Sequence, residues 1–326
     1  MQKVIKTVVT ERLGIKYPII SGTMQWISRA ELVAAVSNAG CLGILSSATF
    51  AEVEELRAEI RKVKALTDKP FAVNMTFLPS LIVQDREAQL RCIAEEGVKI
   101  IETSGLIPAD NLIKIIKDNN MTWIHKCTIV KHALKAQRSG CDMVVADGFE
   151  CAGHPGENDI GSVVLTPAFV QALDVPVISA GGFGTGRQMA AAFMLGADAV
   201  YMGSRFCLSK ECPILDQVKE YIAQNVTEMD TGLALRSFRN TSRYYNSNVV
   251  KEVIAKEKAG CTFEDVREAV SGVMAKKMFY ENGDINNCGT ICIGQVAGLL
   301  HEVMSCEEIA ESLMKECVET LGRFDA

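Results

Sequence analysis

Short apolar runs, closed by glycine, proline or polar residues, recur along the first two thirds of the chain. Eight read as β-strands: 18–22, 43–47, 71–77, 100–105, 122–127, 143–148, 175–182 and 199–206. Their starts lie 21 to 32 residues apart. Between them, stretches such as 29–39, 51–65, 109–119, 130–139 and 186–195 carry apolar residues at helical spacing. The strand centres are almost wholly apolar, as in a parallel sheet covered by helices. Eight strand–helix units of this length predict a (β/α)8 TIM barrel. After Phe206 the pattern changes: 213–225, 227–239, 248–259 and 263–277 read as helices without intervening strands. The expected organisation is a barrel over 1–212, a small C-terminal helical domain over 213–289 acting as a lid, and a segment 290–326 returning to the barrel. Within that last segment an apolar run, 291–300, precedes a final helix, 306–321.

Polar residues gather at the C-terminal ends of the runs. Gln25 and Trp26 follow the first, and Asn74 and Thr76 lie late in the third. Glu102 and Ser104 end the fourth, His125, Lys126 and Cys127 the fifth, and Asp147 the sixth. Barrel enzymes build their sites at that end, so these residues predict one shared mouth. The richest stretch, 147–160, reads DGFECAGHPGENDI and sets acids, a thiol, glycines and His154 within one loop. Small residues let a flat ligand approach the backbone, and histidine changes charge near neutral pH.

Composition narrows the field. A 326-residue chain with 48% hydrophobic and 23% charged residues has ample core material. A net charge of −6, with dispersed lysines and arginines, argues against a nucleic-acid partner. Twelve cysteines stand as singles without a C-x-x-C pair, which suits reduced thiols in a cytoplasmic location and no metal. No run approaches the ~18 apolar residues of a membrane span, and the first residues lack a secretory core. The oligomeric state is not legible.

Two glycine turns come late. The seventh strand ends Ser179-Ala180-Gly181-Gly182-Phe183-Gly184, and the eighth ends Met202-Gly203-Ser204-Arg205. Barrels commonly bind phosphate with the loops after strands seven and eight, and the Ser204 hydroxyl can add a hydrogen bond. The run 182–187 lacks the third glycine of a dinucleotide fingerprint. One phosphate on such a barrel suggests FMN rather than NAD as the resident cofactor. Asn74 then suits the isoalloxazine edge or ribityl chain, and Lys126 can place positive charge where reduced flavin becomes negative. His125 reads as a structural, hydrogen-bonded residue.

The chain resembles the nitronate monooxygenase (2-nitropropane dioxygenase-like) family of FMN enzymes, most closely its NADH:quinone reductase branch. The resemblance is carried by 22–26 (GTMQW), 29–31, 73–79, 124–127, 147–157, 179–183, 202–206, 236–237 and 239–241. It implies a barrel with non-covalent FMN and a small helical domain. It implies that Asn74, Lys126, Asp147, Ala152, Gly153, Gly181, Gly182, Gly203 and Ser204 contact or surround the flavin, with Gly22, Met24, Ser179 and Gln295 on the same cofactor side. Gln25 and Trp26 are expected to shape the substrate mouth, and His154 to act as the catalytic acid, base or orienting group. The Ala152-Gly153-His154-Pro155-Gly156-Glu157 order favours the quinone-reductase branch. Two positions depart from it: Thr23 stands where the branch often has a second glycine, and 293–298 resembles enoyl-reductase and nitronate-oxidising relatives. The expected activity is hydride transfer from NADH to flavin and then two-electron reduction of a quinone. Nitronate oxidation with oxygen, enoyl thioester reduction, and a flavin- or phosphate-binding sensor are the alternatives.

Overall fold

A computed structural model describes residues 5–78 and 84–323. Pro79, the last residue of the 73–79 motif, and the outermost terminal residues of the first and third segments lie outside the described residues. Eight parallel strands form one sheet: β1 Ile19–Ser21, β2 Gly43–Ser46, β3 Phe71–Phe77, β4 Ile100–Gly105, β5 Thr122–Cys127, β6 Met143–Asp147, β7 Val177–Ala180 and β8 Ala199–Met202. From β2 to β8 each strand pairs with its sequence neighbour, and β1 pairs with β8. The ring closes between β1 and β2 through an Ile20–Leu42 bridge, where Ser21 N donates to Leu42 O at 2.9 Å. The fold is a TIM barrel.

The alternation of side chains along each strand decides what reaches the mouth. Ile20, Ile44, Ala72, Ile100, Ile124, Val145, Ala180 and Tyr201 fill the barrel interior. Two residues further along each segment stand Gly22, Ser46, Asn74, Glu102, Lys126, Asp147, Gly182 and Gly203. The interior therefore changes from aliphatic to polar or glycine within one layer. The intervening residues, among them Leu45, Val73, Ile101, Trp123 and Val144, face outward and pack beneath the helices. Gly43 marks how closely one helix lies: a Cβ there would meet Val33 O at 2.2 Å.

Most elements match the expected spans within a few residues, with three corrections. The eighth run stops being a strand at Met202, and Ser204–Cys207 is a single helical turn. The expected helix over 227–239 is instead the first arm of an antiparallel hairpin, β9 Thr231–Ala234 with β10 Ser242–Tyr245. The expected helix over 263–277 is two, Glu264–Arg267 and Gly272–Lys277, the second capped by Ser271 Oγ. Beyond the hairpin, Gln295–Leu299 is a 3-10 turn and Cys306–Gly322 the final helix. That helix lies on Gly186–Met194, where Gly186 N donates to Glu316 Oε2 at 2.7 Å. Among the described residues no helix is long and apolar enough to cross a membrane.

Candidate active site

The polar layer at the top of the barrel is a small charge network. Lys126, on β5, lies 3.6 Å from Asp147 Oδ2 on β6, and its ammonium sits 5.3 Å from the centre of the Tyr201 ring. Glu102, on β4, is fully buried; its Oε2 accepts from Asn74 Nδ2 and from Thr23 Oγ1 at 3.1 Å. Thr23 is itself fixed by Tyr201, whose hydroxyl accepts from Thr23 N at 2.9 Å and donates to Thr23 Oγ1 at 3.2 Å. Thr76 Oγ1 donates to Asn74 Oδ1 at 3.1 Å, which sets the Asn74 amide. Burial favours the neutral form of both acids and raises the Glu102 and Asp147 pKa values, against the pull of Lys126. Burial opposes the Lys126 charge, yet Tyr201, Asp147 and Glu102 outweigh it and hold the ammonium above its ordinary value.

The loop after β6 forms one wall. Its Cys151 thiol bonds Asp147, and burial pushes that thiol well up, so it is no nucleophile. Glu150 turns away from the mouth to cap the next helix, accepting from Ser162 N at 2.9 Å and from its hydroxyl at 3.1 Å. The hairpin holds this loop in place. Gly153 and Arg243 exchange two backbone hydrogen bonds. The buried Arg243 guanidinium donates to the carbonyls of Cys151 at 3.1 Å and Phe149 at 2.9 Å, and to Thr231 Oγ1 at 3.0 Å. Glu157 accepts from Thr241 N at 3.0 Å, and Asp159 pairs with Arg236 at 2.6 Å. His154 stands at the loop crest with its side chain on Asn240; partial loss of hydration of the ring, then the Lys126 charge, lower its pKa against the pull of Asn240.

The adjoining wall carries the glycine turns. Gly181 and Gly182 both adopt left-handed backbone, at φ 88° and 81°. A Cβ on Gly181 would meet Gly148 O at 2.6 Å. A Cβ on Gly203 or Gly153 would instead meet nothing within 4 Å. Ser204 Oγ accepts from Gly294 N at 2.9 Å, and Gln295 N donates to Glu150 O at 3.2 Å, so the 291–298 run closes this side. Ser179 is fully buried and bonded to Thr166, below the turn, and Ala152 and Met24 are half-buried. Gly22 packs against Gly203, which a Cβ would approach to 3.0 Å.

Gln25 is exposed and donates to Ala48 O at 3.0 Å. Trp26 takes a left-handed φ of 68°, receives the Tyr280 hydroxyl on its carbonyl, and lies 4.9 Å beneath the Lys276 ammonium. Its Nε1 has no partner among the described residues. His125 faces outward between sheet and helices: Nδ1 is 2.6 Å from Thr103 Oγ1, which also accepts from Trp123 Nε1 at 2.7 Å. Burial depresses its pKa to about 4, so it is neutral at pH 7. Sequence reasoning placed Glu102 at the mouth without assigning it a chemical role, and it gave no role to Tyr201 or Arg243. The signal for Glu102 was present: an acid two residues beyond inward-facing Ile100, inside an otherwise apolar strand. Nothing local marks Arg243, whose partners are about 90 residues away. Among the described residues no cluster of histidine, cysteine and carboxylates is placed to hold a metal.

Comparison with known proteins gives a consistent neighbourhood. The model of the family described as "Nitronate monooxygenase" matches residues 6–316. The chain is 31% identical to the (3aS,4S,5R,7aS)-5-hydroxy-7a-methyl-1-oxo-octahydro-1H-indene-4-carboxyl-CoA dehydrogenase of Rhodococcus jostii, covering 99% of this chain and 98% of that protein. It is 31% identical to a probable nitronate monooxygenase of Staphylococcus saprophyticus, over 72% of this chain and 79% of the other. Among solved structures, FabK from Thermotoga maritima superposes with a TM-score of 0.90 at 32% identity, covering 98% of each chain.

Proposed function

From the premise that this chain belongs to the nitronate monooxygenase family and is an oxidoreductase, we propose that it is an FMN enzyme that takes hydride from NADH and reduces a conjugated carbonyl acceptor, a quinone in the first reading. The observation that carries the proposal is the Lys126–Asp147 pair set beneath a glycine-walled mouth. The residues fit a flat, singly phosphorylated ligand. Gly153 and Gly203 leave open space where side chains would stand, and Gly181 and Gly182 have backbone that other residues rarely adopt. FMN supplies hydride acceptance and donation. Gly181, Gly182, Gly203 and Ser204 would hold its phosphate end. Asn74, Ala152, Gly153, Gly22 and Met24 would line the rest, with Gln295 and Ser179 supporting that wall.

Lys126 would place a positive charge near the part of the flavin that becomes negative on reduction. His154, uncharged at neutral pH, presents a ring N–H toward the acceptor and orients its carbonyl oxygen. Gln25 and Trp26 bound the acceptor side, and the hairpin keeps the His154 loop from moving away. With the hydride delivered, solvent supplies the one proton that completes the reduced acceptor.

A second reading is an enoyl thioester as acceptor. It is favoured by the 293–298 segment, which departs from the quinone-reductase pattern and is bonded to Ser204 and Glu150 at the site. The Rhodococcus relative named as a carboxyl-CoA dehydrogenase points the same way. Anaerobic stopped-flow mixing tests both. NADH should bleach the flavin band, and benzoquinone or crotonyl-CoA should restore it, the faster of the two naming the acceptor class. Bleaching by propionate 3-nitronate but not by millimolar NADH would replace both readings with nitronate oxidation.

A further inference from the structure

Counting charges in the polar layer leaves one carboxylate without a cation. Lys126 lies 3.6 Å from Asp147 and is the layer's one cation among the described residues, so no second cation faces Glu102. Glu102 is 0% exposed, and both of its neutral donors, Asn74 Nδ2 and Thr23 Oγ1, address the same oxygen, Oε2. Its Oε1 is buried with no partner among the described residues. An ionised oxygen in that position is far costlier than a neutral carboxylic acid. The charged or titratable groups around it are Lys126 from β5, Asp147 from β6 and Tyr201 from β8, while β3 and the loop after β1 present only Asn74 and Thr23. Two buried acids sharing one ammonium retain one proton between them.

We propose that Glu102 carries that proton at neutral pH, on Oε1, and acts as a positioning residue. While neutral, it leaves the Lys126 charge directed toward the ligand side of the mouth. Ionised, it adds a negative charge beneath the ligand and cancels the effect of Lys126. The role toward the cofactor rests on the FMN reading above, whereas the protonation state of Glu102 does not. Glu59, the other buried glutamate among the described residues, is paired with Arg29 at 2.7 Å and stays ionised.

The test is infrared spectroscopy on the full-length protein at pH 7, with and without ¹³C-labelled glutamate. A protonated carboxylic acid stretch that moves with the label and disappears in Glu102→Gln is expected. Absence of a label-sensitive acid band in the wild type overturns the proposal, and this arm stands even where Glu102→Gln fails to fold. Potentiometry of the FMN-loaded protein gives the second readout. As pH rises through the Glu102 titration, the wild-type midpoint potential should fall more steeply than that of Glu102→Gln, and reduction by NADH should slow about tenfold in the wild type alone. Parallel potential–pH lines overturn the positioning role. An intact infrared band in a protein that takes up no flavin would instead count against the functional reading.

Discussion

At the scale of single residues, Lys126 and His125 are neighbours in sequence with opposite orientations and opposite consequences. Lys126 points into the mouth, 3.6 Å from Asp147. Lys126→Met keeps the stem and removes the charge, so the flavin midpoint potential should fall and reduction by NADH should slow roughly ten- to a hundredfold. Asp147 can take a proton once its partner is gone, so the melting temperature at pH 7 should move little. An unchanged potential in flavin-loaded Lys126→Met would show that the charge is not felt at the ring. His125 points outward and is held near a pKa of about 4, against 6.5 for the free side chain. Between those values the unfolded chain binds a proton that the folded one refuses. The contribution is therefore fully present above pH 6.5 and is lost as pH falls toward 4, amounting to about 3 kcal/mol. Urea melts across that window should show the slope in the wild type and lack this component in His125→Gln. The mouth residues on the strands were legible because inward positions follow a period of two. The role of Glu102 was not, because an orphaned oxygen depends on where its neighbours' donors point.

At the scale of elements, the β9–β10 hairpin does most to hold the His154 loop. The turn formers there, Ser237 and Asn240 to Ser242, do not occupy the two left-handed positions of the reversal. Its reversal uses left-handed Leu235 and Arg239, at φ 63° and 53°, where glycine or asparagine would ordinarily announce it. The stretch 227–239 therefore reads as a helix. Tertiary partners decide the outcome: Glu257 accepts from Leu235 N and from Ser237 N at 3.0 Å, and Arg243 bonds the far loop. Arg243 is a buried cation solvated by carbonyls and by the Phe149 ring at 4.6 Å. Arg243→Met should cost about 2–4 kcal/mol, since two carbonyls lose a charged donor. The more telling measurement is hydrogen exchange: amides 149–157 should exchange faster while those of β3 to β5 stay protected. Equal protection in both proteins would mean that the loop holds its own shape.

For the whole molecule, the barrel was readable from spacing because each strand–helix unit repeats the same burial problem and solves it locally. What spacing could not convey is how the chain end returns. The helix Cys306–Gly322 lies so close on Gly186–Met194 that a Cβ on Gly186 would meet Leu313 O at 2.4 Å and Cys317 N at 2.6 Å. These atoms are backbone and cannot step aside. Gly186→Val should therefore separate the two helices, with a loss of about 1–3 kcal/mol and early proteolytic release of the last helix. A melting curve and cleavage pattern matching the wild type would show that the contact can relax. The terminal helix is fastened to the element that directly follows the glycine turn of β7, so its loosening should also weaken flavin retention.

The chain has two tryptophans, and the fold gives them unlike surroundings. Trp123 is sealed between the sheet and its helices, 1% exposed. Trp26 sits at the mouth, half-buried beneath Lys276, with its carbonyl bonded to Tyr280. An indole stacked under an ammonium changes its emission when that ammonium moves, whereas one sealed in hydrocarbon does not. The protein thus carries its own optical gauge and reference. In Trp123→Phe, the remaining emission would report any displacement of Lys276 from the Trp26 ring, without any attached dye.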